Sequence, residues 1–181
     1  IMFGLNLVVH KGKTIFVADT SVHEYPTSEQ MSEIAISAAR VVRLFGFDPK
    51  VAFVSHSTFG QPVTSRTKHI RKAVDILKEK NIDFEFDGDM QPDVALNKDY
   101  KSLYPFSKIV GNANILIMPG QHSAAISYKM MKELGDTKVI GPLLIGLGLP
   151  IEIAPLRTST SELINLASIA AYSADVIDYK K

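Results

Sequence analysis

Apolar residues along this chain follow two alternating rhythms. Short runs rich in β-branched and aromatic residues at 5–9, 14–18, 51–55, 84–86, 113–118 and 139–147 predict strands. The stretches between them repeat apolar positions every three or four residues. After Pro26, the residues Met31, Ile34, Ala35, Ala38, Val41, Val42 and Phe45 share one stripe. Thr27 and Gln30 stand at capping-box spacing before that helix, and Gly46 can close it in a left-handed conformation. A second helix follows Thr64, with Ile70, Ala73, Val74 and Leu77 inward and Lys68, Arg71, Lys72, Lys78 and Lys80 on a solvated face. A third is predicted over 123–134, closing at Gly135, and a fourth runs from Ser159 toward Tyr179 with Leu163, Leu166, Ala167 and Ala170 on its apolar side.

Strands alternating with helices predict an α/β fold with a mostly parallel sheet. His10-Lys11-Gly12-Lys13 between the first two strands favours a hairpin, which makes the sheet mixed. No repeat or low-complexity linker interrupts the order, and residues 87–99 read as the one long connection.

Composition narrows the function classes. A chain of 181 residues with 46% hydrophobic content can bury its own core as about one domain. Basic and acidic residues number 20 and 19 and are dispersed, so neither a nucleic-acid face nor a polybasic membrane patch is expected. Lys180 and Lys181 read as a solvated tail. Absence of cysteine removes disulfides, thiolate nucleophiles and cysteine-ligated metals, in keeping with a cytoplasmic location. The apolar run at the start is short and lacks a basic leader, so it reads as a strand, not as a signal or membrane span.

Several motifs have a chemical and a structural reading. Asp83, Glu85, Asp87, Gly88 and Asp89 resemble the opening of a calcium loop, but Val94 occupies the position of the bidentate carboxylate, and no metal site is expected. Gly146 and Gly148 lack the third glycine of a dinucleotide turn, which Ile151 replaces. Ser55-His56-Ser57 ends a strand, where α/β folds bind ligands, yet neighbours on a strand face opposite ways and adjacency does not pair nucleophile with base. The segment 87–91 is a candidate for lining the same cleft. Gly120-Gln121-His122-Ser123 joins a strand to a helix whose first amides can hold an anion, or else is an ordinary connection capped by Ser123. Arg157, Ser159 and Glu162 follow a glycine- and proline-punctuated strand, although Ser159 and Glu162 also have capping-box spacing.

The runs 18–30, 51–60 and 87–91, with Asn114, Pro119, Tyr128-Lys129, Gly141-Pro142 and Gly146, resemble the phosphate acetyl/butyryl transferase family over essentially the whole chain. His56 and Phe59 are similar to the version of that domain fused behind a malic enzyme region. The resemblance implies a three-layer α/β/α architecture of the phosphotransacetylase and isocitrate-dehydrogenase type, with a cleft between two subdomains. It also implies that residues 1–181 are the C-terminal part of the family domain, with 1–142 in one subdomain and 143–181 the remnant of a second. A malic enzyme region in cis, using NADP and a divalent metal to turn malate into pyruvate, would then precede Ile1. Acetyl-CoA is the implied effector and a homodimer the implied assembly.

Where active members of that family carry a serine near the coenzyme A thiol and a phosphate-holding arginine, this chain has Pro155 and Leu156. Proline offers no hydroxyl, and leucine makes no charge-assisted contact. Glu162 occupies the position of an acidic residue proposed as base, and Gly120, His122 and Ala125 replace polar family residues. The expectation is a module for oligomerisation and acetyl-CoA sensing without acyl transfer. Its rivals are an active phosphate acetyltransferase using His122, Arg157 and Glu162, and a purely structural dimerisation module.

Overall fold

A computed structural model describes residues 1–176. Beyond them lie the two terminal lysines and the predicted end of the last helix near Tyr179.

Seven strands form one sheet: β1 (Phe3–His10), β2 (Lys13–Ala18), β3 (Lys50–Val54), β4 (Glu85–Met90), β5 (Ile115–Ile117), β6 (Thr137–Ile145) and β7 (Ile151–Glu152). Their spatial order is β4-β3-β5-β2-β1-β6-β7. The sheet is mixed, as the hairpin signal predicts, and its two kinds of pairing are segregated. The pairs β4/β3, β3/β5 and β5/β2 are parallel, whereas β2/β1, β1/β6 and β6/β7 are antiparallel. Lys11 and Gly12 both take positive φ, 47° and 75°, the geometry of the tight turn joining β1 to β2.

Helices α1 (Ser28–Leu44), α2 (Ser65–Lys78), α3 (Pro92–Leu96), α4 (Lys98–Lys101), α5 (Gln121–Leu134) and α6 (Thr160–Val176) complete three layers. On one face, Met31, Ile34, Ala38 and Val42 of α1, Ile70 and Leu77 of α2 and Leu166 of α6 pack on Phe3, Leu5, Phe16, Phe53 and Ile117. On the other, Val94 and Ala95 of α3 and Ala124 of α5 pack on Val8, Val17, Ala52, Val54 and Leu116.

The capping signals act as read. The Thr27 hydroxyl accepts from the Gln30 amide at 3.1 Å while the Thr27 amide donates to the Gln30 side chain at 2.8 Å. Gly46, at φ 82°, turns the chain out of α1. Gly135 does not do so for α5: it closes that helix from an extended conformation, at φ −125°.

The expectation of a long connection over 87–99 is corrected. Asp87–Met90 belong to β4, because their carboxylates find partners inside the fold, and Pro92 and Asn97 then start α3 and α4. The predicted apolar side of the last helix is only partly covered: Leu166 is buried, but Leu163 is 47% exposed.

Candidate functional site

β3 ends at Val54, and the strand alternation persists for three residues: Ser55 and Ser57 turn inward and His56 faces solvent. The Ser55 amide donates to the Met90 carbonyl at 2.9 Å, tying this turn to the end of β4. Ser57 donates its hydroxyl to Asp89, a fully buried carboxylate whose other oxygen has no hydrogen-bond partner and lies 3.8 Å from Nε of Arg71. Arg71 lies on the polar face of α2 as its spacing predicts, and its half-exposed side chain still reaches this carboxylate.

Residues 87–91 do not line the cleft as expected. Asp87 accepts from the Lys108 amide at 2.7 Å and the Gly88 amide at 3.0 Å, and Asp89 is held by Ser57, so both carboxylates organise loops. Pro92 supplies the wall instead. Asp83 and Glu85 are likewise engaged, by Arg43 and Lys50.

A second buried carboxylate builds the opposite lip. Asp19 accepts from the amides of Gly4, Ser21, Val22 and His23 at 2.8–3.1 Å and from Nδ1 of His23 at 2.7 Å. The loop so fixed presents Glu24 and Tyr25. The Arg66 guanidinium sits 5.0 Å from the Tyr25 ring centroid, and His122 stacks against the same ring at 6.4 Å. His122 also pairs through Nε2 with Glu24 at 3.1 Å.

Gly120 makes this approach possible, since a Cβ there would overlap the Glu24 carbonyl oxygen. An aspartate at this position needs the 23–25 loop displaced. Ser123 does not cap the helix: α5 starts two residues earlier, at Gln121, and the Ser123 hydroxyl donates back to the Gly120 carbonyl at 2.7 Å. The Gln121 amide donates to the His23 carbonyl at 3.1 Å. The next two amides, of His122 and Ser123, have no protein acceptor among the described residues and can meet an anion.

Ser55, His56, Gly120, His122 and Ser123 thus line one cavity of about 470 Å³ with Tyr25 and Arg66, while Gln121 and Ser57 stand behind it. Arg157, Ser159 and Glu162 are elsewhere. Arg157 and Glu162 border a separate cavity of about 340 Å³ among α5, β6 and the start of α6. Lys132 anchors this end by pairing with Glu162 at 3.0 Å. His122 and Lys132 stand ten positions apart on α5, about 15 Å at 1.5 Å per residue.

Glu162 accepts from both the amide and the hydroxyl of Ser159, at 2.7 and 2.8 Å. These bonds, with Lys132, hold its carboxyl at about pKa 2, below its ordinary 4.5. The capping box is formed, and a carboxylate so stabilised is a poor proton acceptor near neutral pH. Leu156 is fully solvent-exposed and Pro155 lies in the cavity wall.

Sequence reading missed Glu24, Tyr25 and Arg66 as cleft residues. The one local signal, Tyr25 beside Pro26, does not reveal that α2 and α5 converge on that ring. Among the described residues, no cluster of three or more His, Asp and Glu side chains has metal-binding geometry, and no helix is long and apolar enough to cross a membrane.

The family model described as phosphate acetyl/butaryl transferase matches residues 1–171. An NADP-dependent malic enzyme of Rhizobium meliloti is 47% identical over 173 residues, covering 96% of this chain and 23% of that protein. A phosphate acetyltransferase of Clostridium acetobutylicum is 33% identical over 162 residues, covering 88% of this chain and 49% of that protein. The crystal structure of a phosphotransacetylase from Streptococcus pyogenes superposes with a TM-score of 0.90 at 30% identity, over 97% of this chain and 54% of that one. The chain therefore spans about a quarter of the malic enzyme it matches and about half of the acetyltransferase.

Proposed function

Because the chain belongs to the phosphate acetyl/butaryl transferase family, we propose that it is a phosphotransacetylase-like module that senses acetyl-CoA and supports oligomerisation without transferring acyl groups. Its parent in this reading is an NADP-dependent malic enzyme. A preceding region in cis would oxidatively decarboxylate malate to pyruvate with NADP and a divalent metal.

The observation that carries the loss of transfer is the state of Glu162. A base must reach the group it deprotonates, and this carboxylate is bound to Ser159 and Lys132 and held at about pKa 2. Its neighbours Pro155 and Leu156 supply neither hydroxyl nor cation. The acyltransferase rival needs His122, Arg157 and Glu162 together, whereas His122 lines one cavity and Arg157 and Glu162 another.

The strand-end cleft supports the sensing role. Arg66, His56 and the unpaired amides at the start of α5 suit phosphate charge, and Tyr25 offers a ring face to a nucleotide base. Regulation further requires that the ligand bind two states of the enzyme unequally. The exposed apolar side of α6 suits burial against another part of the parent, with residues 143–181 beginning a second subdomain.

Calorimetric titration with acetyl-CoA tests the sensing reading. Wild-type protein is expected to bind, and Arg66→Ala to weaken binding about tenfold through loss of one charge-assisted contact. No heat with wild type sinks sensing and leaves an assembly role, which light scattering checks as a homodimer.

A further inference from the structure

The cavity among α5, β6 and the start of α6 borders Pro155, Arg157 and Glu162 and has a chemistry that the strand-end cleft does not use. Its walls are apolar: Val139, Ile140, Pro142, Pro155 and Leu166. Its rim carries three cations, Lys129, Lys132 and Arg157, against two carboxylates, Glu133 and Glu162, an excess of one positive charge. Lys129 and Arg157 both border it, and among the described residues no carboxylate forms an ion pair with either. Lys132 and Glu162, which also border it, neutralise each other. Tyr128 contributes a half-buried ring, and burial pushes its phenol up from its ordinary value, so it stays neutral.

We propose that this cavity binds a small monocarboxylic acid, its carboxylate held by Arg157 with Lys129 and its hydrocarbon chain against Val139, Ile140, Pro155 and Leu166. Phosphate fits poorly, because a compact, strongly hydrated dianion gains nothing from apolar walls and loses water to reach them. A hydrocarbon acid satisfies both halves of the site. At about 340 Å³, the cavity is at the small end of ligand sites, which run from about 300 to 1,000 Å³, so it accommodates a short chain and excludes a whole nucleotide-bearing thioester. Guanidinium provides the geometry for bidentate carboxylate recognition that the neighbouring Leu156 does not. The site is separate from the cleft assigned to acetyl-CoA, and its occupancy does not depend on that assignment.

The test uses the whole chain with pentanoate as probe, followed by the NMR methyl signals of Val139, Ile140 and Leu166. Expected is saturable movement of these signals with an affinity on the order of millimolar, as suits a ligand of this size. Pentanamide, equal in shape but uncharged, and inorganic phosphate should each bind at least about tenfold more weakly, the factor that one charge-assisted bond supplies. Arg157→Ala should weaken pentanoate similarly while the methyl spectrum of the free protein stays folded. As Arg157 is exposed, that variant is not expected to unfold the chain. The proposal is overturned if pentanoate leaves the three methyl signals unmoved, if pentanamide or phosphate matches it, or if Arg157→Ala binds pentanoate as wild type does.

Discussion

The two halves of the sheet are built to different standards of completion. From β4 to β2 the strands are parallel, covered by helices on both faces and nearly continuous in buried residues: Val51, Ala52, Phe53, Val54, Ile115 and Ile117 are each at most 3% exposed. Beyond β1 the sheet is antiparallel and thinly covered. In β6 only Leu143 is fully buried, and Ile151, Ile153, Leu163 and Ile164 are each more than 40% exposed. The covered half carries the aromatic and cationic cleft. The open half carries Pro155, Leu156, Arg157 and the second cavity. The two halves thus differ in packing: one has a closed core, and the other leaves apolar side chains uncovered.

Core truncation should show the largest contrast. Phe53→Ala is expected to cost about 3–5 kcal/mol in urea unfolding, whereas Leu163→Ala should change stability by about 0.5 kcal/mol or less. Equal losses would mean that the last helix belongs to the same cooperative core. Ser57→Ala should come next, at about 1–3 kcal/mol, because it leaves the buried Asp89 carboxylate without its hydroxyl donor.

The two capping boxes give a smaller version of the same comparison. Thr27→Ala should lower global stability by about 1 kcal/mol. Ser159→Ala should instead speed hydrogen exchange within α6 while leaving the global midpoint nearly unchanged, since a thinly packed helix opens locally.

A pH-dependent effect concerns Glu152 on β7, whose carboxyl burial pushes up from 4.5 to about 7. The folded state then binds more protons than the unfolded one between those values, so stability should fall as pH rises from about 5 to 7 and level off above. Glu152→Gln should flatten that part of the melting-temperature profile. Glu162 works in the opposite direction: with its carboxyl held at about 2, its contribution persists above the ordinary 4.5 and is lost as pH falls toward 2.

Local patterns make the covered half legible in the sequence. Thr27 with Gln30, Gly46, and the turn at Lys11-Gly12 are short-range signals, and each acts where its spacing places it. Ser55-His56-Ser57 also alternates as a strand should. What escaped was long-range. Asp19 gathers the amides of residues 4 and 21–23, Asp89 meets Ser57 across 32 residues, and Tyr25 meets His122 only because β5 and α5 return beside that loop. No periodicity encodes such meetings. For Glu162 the spacing fitted either a cap or a base, and bond geometry rather than pattern favours the cap.

Acetyl phosphate formation from acetyl-CoA and inorganic phosphate tests the central claim most directly. The chain, alone or within a longer parent, is predicted to yield no product above the uncatalysed background while acetyl-CoA still binds. Robust turnover abolished by Glu162→Gln would contradict the account, for it would make a functioning base of a carboxylate that the structure ties to Ser159 and Lys132.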